Sequence, residues 1–466
     1  MEVIADEDKN LKAIFFQTPE MQKNFSMYPE FVMIDATYKL NDLRMPLFIL
    51  LIVDGNGQSE IVALWITADE CKDTITKMLQ AFKMHNKDHS KIICVMGDKD
   101  LTEREVIASE LANAHLLICL FHTMRSFKRE ISCEKLGITS AERTLALEVI
   151  QKLAYSQSED VYSKNYEELL NTNLHAVINY FNLNWHGIRD QWVEGLKNNH
   201  FNMLNRTNNR LECINQKIKS VVSKNSDLNT FWVDLMHCLN TLNIERDHKA
   251  VHVQLKTPVR VGAVDSDIDR YLQLLTPFAF SHVKKQYELK KNVKLLNCYE
   301  KNGKQYALYN SGSGKVIETC QNSCQCSFTT VMRLPCRHML ALRTYLQISL
   351  FDHNSCHIRW TKHFYLSGHR VSLNNQIPMN NLDNYDSVHI STVKRKSSAI
   401  ISSQQKYREA FSVGQKIASC ISELGMREYT SVIDQLKSVL EFLEQGRLFS
   451  IVETNDGTIH VASMHI

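Results

Sequence analysis

Phe31-Val-Met-Ile-Asp35-Ala-Thr-Tyr-Lys-Leu40 runs four apolar residues into a single carboxylate and then turns polar. An apolar run of this kind predicts a buried strand. A carboxylate at the end of such a strand is costly unless something answers its charge. The hard cations that suit a carboxylate are Mg²⁺ and Mn²⁺. A strand-end Asp hydrogen-bonded to nearby backbone is the plain alternative.

Working outward, Pro46-Leu-Phe-Ile-Leu-Leu-Ile-Val-Asp54 predicts a second buried strand, Gly55-Asn-Gly57 a turn, and Ile61-Val-Ala-Leu-Trp-Ile-Thr67 a third strand. Connections this short favour an antiparallel meander. A helix is expected from Asp69-Glu70 to about His85, with Ile75, Met78, Leu79 and Phe82 on its apolar face. A fourth run, Ile92-Ile-Cys-Val-Met96, ends in Gly97-Asp98-Lys-Asp100 and leads into a helix to about Ala112. Asp98 then sits at the carboxyl end of a strand, where open α/β sheets put their ligands. Either Asp98 or Asp100 could instead cap the helix. A fifth strand from His115 to Phe121 leads into His122 and a basic helix start with Arg125, Lys128 and Arg129. Residues 1–28 hold a short apolar patch at Ile14-Phe15-Phe16 and no motif.

The order β-β-β-α-β-α-β, with acids ending the first and fourth strands, is that of the ribonuclease H-like fold, which needs a third acid from a later helix. Residues 139–200 are helical in pattern and carry Trp185 and Trp192, so an all-α insertion is expected at about 123–203. After it comes Asn205-Arg-Thr-Asn-Asn-Arg-Leu-Glu212, where Asn208, Asn209 and Glu212 share one helix face. Taken alone Glu212 is a solvated helix residue; as a third acid after two strand-end Asp residues it is a candidate ligand. Residues 226–295 read as a helical connector. It ends in a basic stretch with Lys284, Lys285, Lys290 and Lys291, either a solvated face or a phosphate-contact surface.

Residues 296–319 alternate like a β-hairpin around Asn310-Ser-Gly-Ser-Gly314. Cys324-Gln-Cys326 follows and, nine residues on, Cys336-Arg-His338. Three Cys and one His form a ligand set that structural Zn²⁺ accepts in a closed tetrahedral site. On a strand, Cys324 and Cys326 would turn to one side. Cys320 lies nearby as a competing thiol. His353, Cys356, His357 and His363 are too irregularly spaced for a second site, and Trp360 with Phe364 suggests packing. Residues 346–404 are expected as a polar linker containing Lys394-Arg-Lys396, too short for a convincing nuclear-import run, and 405–466 as a helical C-terminal region. There Val432, Leu436, Val439 and Leu443 repeat by four, three and four, which suits a partner helix or an intramolecular hairpin broken near Gly425.

The chain has 466 residues, 44% hydrophobic and 23% charged, the composition of a soluble globular protein. A net charge of +3 means that any nucleic-acid binding must come from local basic patches. No long uncharged apolar run and no signal-peptide pattern is seen, so an intracellular protein with reduced thiols is expected and no membrane role.

The Cys324-x-Cys326…Cys336-x-His338 signature resembles the SWIM zinc finger. Asp35-Ala-Thr-Tyr…Asn41, Gly97-Asp98-Lys, Cys119-x-x-His122 and Asn208-Asn-Arg-Leu-Glu212 resemble the transposase domain of Mutator-like elements. Together, over about residues 29–345, they resemble the transposase-derived zinc-finger SWIM-domain proteins of animals. The resemblance implies a DDE triad at Asp35, Asp98 and Glu212 that would use Mg²⁺ or Mn²⁺, and a family motif of undefined role at Cys119 and His122. By residue type alone those two are equally a core thiol and a helix-start imidazole. It implies a zinc-binding nuclear protein that binds DNA or chromatin partners, with active two-metal phosphoryl transfer or a protein-interaction scaffold without DNA contact as the other functions. Arg125, Lys128, Arg129, Lys284, Lys285, Lys290 and Lys291 are the candidate DNA contacts. A protein partner or self-association is open at the C-terminal helices. Nothing before residue 29 resembles the N-terminal DNA-binding zinc module that members often carry. The expected architecture is thus α/β: a ribonuclease H-like domain at 29–225 with its all-α insertion, a helical connector at 226–295, a small β-hairpin zinc finger at 296–345 and a helical C-terminal region.

Overall fold

The first residues of the chain build two strands that the sequence reading left unassigned, β1 (Glu2–Asp6) and β2 (Leu11–Phe16). In the computed structural model they belong to the main sheet, so residues 1–28 are part of the domain rather than a leading segment. They are short, and charged Glu2 and Asp6 occupy buried positions of β1, which hid the pattern. The structure describes residues 1–99, 101–223, 226–255, 266–301, 303–310, 316–373, 389–393, 403–447, 449–453 and 459–463. Asp100, the hairpin tip at 311–315 and the Lys394-Arg-Lys396 triplet lie outside them. The chain forms two compact units, Met1–Ser397 and Ser398–Ile466.

In the first unit, helix α1 (Pro19–Met27) is capped by the Thr18 side chain and leads into β3 (Phe31–Thr37), β4 (Leu47–Val53) and β5 (Ser59–Thr67), the expected antiparallel meander. Helix α2 (Lys72–His85), strand β6 (Cys94–Gly97), helix α3 (Leu101–Glu110) and strand β7 (His115–Ile118) follow. Strands β6 and β7 continue the sheet parallel to β3. A late strand, β11 (His389–Val393; β8 to β10 are given below), adds parallel to β1, giving the order β11-β1-β2-β5-β4-β3-β6-β7. The α/β, ribonuclease H-like architecture expected from the sequence is the one observed.

Period-two alternation feeds two cores. Phe31, Met33, Ile49 and Leu51 face one side, while Val32, Ile34, Leu50 and Ile52 face the other, against Ile75, Met78 and Phe82 of α2. The first face is covered by α11 (Asn209–Val221) and by three long-range helices, α12 (Leu228–Leu255), α13 (Ser266–Leu274) and α14 (Pro277–Leu289). Between β7 and α11 lies the insertion. It opens with α4 (Leu120–Glu130) and continues through α5 (Cys133–Leu136), α6 (Ser140–Ala154), α7 (Glu159–Asn171), α8 (His175–Asn184), α9 (Arg189–Trp192) and α10 (Glu194–Lys197). It has its own aromatic core of Phe127, Tyr162, Phe181, Trp185 and Trp192.

The zinc-finger region departs from the expected single hairpin. Strands β8 (Leu295–Lys301), β9 (Lys304–Asn310) and β10 (Val316–Cys320) form a three-stranded antiparallel sheet. Gly303, at a φ of +71°, makes the first of its turns. Helices α15 (Ser327–Met332) and α16 (Arg337–Tyr345) follow. The reading of 346–404 as a linker is corrected over its first part. Trp360 and Arg359 are buried, Trp360 donates to Met332 O at 2.6 Å, and Arg359 donates to Val53 O at 2.9 Å. Then come α17 (Lys362–Gly368) and α18 (Arg370–Leu373). Polar composition misled here because the buried groups are few and large.

The second unit holds α19 (Ser403–Ser422) and α20 (Met426–Glu444), with Gly425 at the N-cap of α20. It also has a hairpin of β12 (Phe449–Glu453) and β13 (Ile459–Ser463), so the expected all-helical end is corrected.

Candidate functional site

Parallel register sets the first two acids side by side. Met33 of β3 pairs with Met96 of β6, so Asp35 and Asp98, two residues further on each strand, stand level at the carboxyl ends. Asp98 is just past the last residue of β6. Glu212 comes from the first turn of α11, the helix that crosses this face of β3. All three line one open cleft of ≈ 1070 Å³ together with His122, Asn215 and Glu70. The cations Lys39, Lys99, Arg125, Arg129 and Lys219 line it too.

Two ties return the insertion to this site. Lys197 is buried and its Nζ donates to Ile118 O at 3.2 Å and Arg206 O at 3.0 Å, joining the end of β7 to the approach to α11. Burial depresses its pKa to about 8. Asn208, fully buried, accepts from the Cys119 thiol at 3.0 Å and meets His122 Nδ1 at 3.2 Å. The family motif pair is therefore a junction: Cys119 is the N-cap residue of α4 and His122 stands in its first turn.

His122 lies between two of the acids. Its Nδ1 is in contact with Asp98 and its Nε2 is 3.8 Å from Glu212 Oε1. Its hydrogen bonds to the Asp98 carboxylate and then to Cys119 raise its pKa to about 10. Asp35 accepts from Asn215 Nδ2 at 3.2 Å, and burial, then the charge of Asp98, push it up to about 7. A single divalent ion needs its ligand atoms gathered within a few ångströms, and among the described residues the three acids are not all within 4.8 Å of one another. As arranged, an imidazole occupies the space between Asp98 and Glu212, and the acids do not form a single-ion site.

The Cys/His set does meet that test. Cys324, Cys326, Cys336 and His338 have their ligand atoms within 4.8 Å of one another. His338 Nδ1 is 3.7 Å from Cys324 Sγ and 3.8 Å from Cys336 Sγ. Tetrahedral edges for bonds of zinc length are roughly 3.5–3.8 Å, so the cluster is compatible with structural zinc. Cys324 and Cys326 do not lie on a strand as supposed. Cys324 follows the turn after β10 and bridges to Thr319, while Cys326 is the N-cap of α15. Cys336 likewise opens α16. Cys320 turns instead to Ser323 Oγ at 3.0 Å.

A second group, His115, Asp190 and His200, also meets the distance criterion. Its two imidazole rings are stacked at 3.4 Å and 13°. Two imidazoles bound in-plane to one tetrahedral ion would hold their centroids roughly 5 Å apart, so these rings as stacked do not ligate one ion.

Residues 1–117 match the family described as Zinc finger SWIM domain-containing protein 1/3, RNaseH-like domain. This segment is similar to the RNase H-like domain of that SWIM zinc-finger family. The matched segment holds Asp35 and Asp98; Glu212 and the SWIM-type Cys₃His cluster follow it in the same chain.

Of the candidate DNA contacts, Arg125 and Arg129 stand in the acid-lined cleft. Lys284 and Lys285 are exposed on α14, and Lys290 and Lys291 follow in a short 3₁₀ turn; α14 packs on α16 of the zinc module. The sequence reading missed Lys39, Lys99, Lys219 and Asn215. Asn215 was within reach, one turn after Glu212 on the same face. The lysines carry no local signal, since only the fold gathers them. No helix of the described residues is long and apolar enough to cross a membrane.

Proposed function

We propose that this chain is a transposase-derived nuclear protein that binds DNA along the acid-lined cleft, with a zinc-filled SWIM module completing its fold. The observation that carries this reading is the ring of five cations, Lys39, Lys99, Arg125, Arg129 and Lys219, around a cleft at the carboxyl edge of the sheet. A polyanionic backbone is drawn by such a ring, and binding of this kind releases counterions. The acids inside it argue against adventitious anion binding, because carboxylates repel a phosphate unless the surrounding cations dominate. His122 between Asp98 and Glu212 lowers that repulsion further. The zinc would be held by Cys324, Cys326, Cys336 and His338, and structural zinc contributes folding energy rather than an open catalytic position.

The test is binding of a labelled DNA duplex across a salt series. Affinity should fall steeply with salt, and Arg125→Ala with Arg129→Ala should lower the log–log slope by about two. Replacing Lys284, Lys285, Lys290 and Lys291 by Ala measures whether α14 and the turn after it add contacts. Binding that ignores salt and all of these substitutions would leave the interaction-scaffold reading in its place.

A second reading, an active DDE-type nuclease or transposase, draws on the supply of Asp35, Asp98 and Glu212 to one cleft by two strand ends and a helix. A nicking and strand-transfer assay in Mn²⁺, comparing the natural chain with Asp35→Asn, decides between the two. Equal and background-level products from both chains would remove the catalytic reading.

A further inference from the structure

The α19–α20 pair carries two apolar seams of coiled-coil spacing. On α20, Met426, Tyr429, Ile433, Leu436, Leu440 and Leu443 alternate by three and four. On α19, Tyr407, Ala410, Gly414, Ile417 and Ile421 do the same. Every charged residue of α20 (Arg427, Glu428, Asp434, Lys437, Glu441 and Glu444) falls off the seam. A repeat this regular marks a surface meant to interdigitate with another helix.

The hairpin does not cover these seams itself. Val413, Ile417, Leu424, Met426, Tyr429, Leu436, Leu440 and Leu443 are 36–78% exposed, and Ile421 is the one large apolar side chain buried among the described residues of this unit. On α20, Met426, Tyr429, Leu436, Leu440 and Leu443 of the seam are exposed, while Ile433 of the seam and Val432 and Val439 at its edge are partly covered. Among the residues of this unit whose burial is described, one buried aliphatic is too little core to offset the ordering entropy of the helix pair. The pair has to acquire a core by association.

We propose that a second copy of this chain supplies it, the α19–α20 pairs of two copies closing into a four-helix bundle. The eight exposed side chains present on the order of 700 Å² per copy, close to the roughly 800 Å² per partner that a stable interface buries. In an isologous contact one patch provides both halves of that area. Among the described residues, the longest helix of the first unit, α12, offers no such seam: its exposed apolar residues Val233, Ile244 and Leu255 stand three turns apart, too sparse to interdigitate.

The full chain is tested by sedimentation or light scattering. It should run at twice the 53.9 kDa chain mass. Leu436→Asp with Leu440→Asp should weaken association by roughly 100-fold or more, since two charges would enter the bundle core. Ser431→Asp with Ser438→Asp adds the same charge off the seam and should leave the doubled mass unchanged. Because the helix pair depends on association for its core, helix content by circular dichroism should fall together with association in this variant and stay unchanged in the Ser431/Ser438 control; Leu443→Asp alone, at the seam's end, must also weaken association. A full chain that is monomeric at about 50 μM, or a doubled mass that survives the seam substitutions, overturns the proposal.

Discussion

The Cys119 thiol donates to the Asn208 side-chain oxygen at 3.0 Å across 89 positions of sequence. This bond fastens the start of the helical insertion to the helix that brings Glu212 back to the sheet. Both side chains are fully buried. Asn208→Ala should therefore destabilise the chain by about 1–3 kcal/mol, since it leaves the buried Cys119 thiol without its acceptor and removes the contact with His122. A double-mutant cycle with Cys119→Ala, read from urea unfolding, should give a coupling of about 0.5–1.5 kcal/mol. Additivity of the two substitutions would show that they do not act as a pair.

The zinc assignment distinguishes among the four thiols Cys320, Cys324, Cys326 and Cys336 of one short segment. Metal analysis of the purified chain should return one equivalent of zinc. Cys336→Ser should remove it and lower the melting temperature, whereas Cys320→Ser, whose thiol faces Ser323, should keep both. Retention of zinc in the Cys336 variant would mean a different ligand set.

His369 should make stability depend on pH. It is buried, its Nδ1 has no hydrogen-bond partner, and burial, then Arg246 and Lys23, depress its pKa to about 3. The unfolded chain takes up this proton near pH 6.5. The stabilising contribution is thus full above about 6.5 and is lost as pH falls towards 3, amounting to about 2 kcal/mol by pH 5. The nearby Glu60 and Asp54 act in the opposite sense, because burial raises their carboxyl pKa values to about 8 and about 6. The measurable quantity is the difference between the natural chain and His369→Leu. That difference should fall between pH 7 and pH 5, and a constant difference would contradict the assignment.

Trp360 tests where the first unit ends. Its indole is fully buried in the main core and donates to Met332 O. Trp360→Ala should cost about 3–5 kcal/mol, and a chain stopped at residue 345 should fail to give a cooperative melt. A truncated chain that melts like the natural one would restore the linker reading of 346–373.

Much of the sheet was legible because each strand from β3 to β6 is a short, nearly continuous apolar run bounded by turn residues. The carboxylates of Asp35 and Asp98 stood out for the same reason, as lone charges at the ends of such runs. Strands β1 and β2 were not legible. In β1 the buried positions are Glu2, Ile4 and Asp6, so charged residues stand where an apolar period would be read, and in β2 the run Ala13-Ile14-Phe15-Phe16 does not alternate. The cation ring around the cleft was invisible for another reason: Lys39, Lys99 and Lys219 come from three elements, and nothing local marks them as neighbours. Trp360 shows the limit of composition, since one buried indole can fix a segment whose average is polar. The Cys/His spacing pointed to the ligand set and not to its framework, because Cys326 and Cys336 are presented by helix starts rather than by a strand.

The pairing of β1 with β11 joins Glu2 to His389. Strand β1 is made long before its partner, which follows only after almost all of the first unit. Throughout that interval one side of β1 presents unpaired amides and carbonyls, able to template the wrong strand from a neighbouring nascent chain. Contacts this distant in sequence also form late in refolding, since loop closure must precede them. The sheet is therefore finished from its far edge after release of residue 393, and a ribosome stalled before that point would hold a domain with an open, adhesive margin.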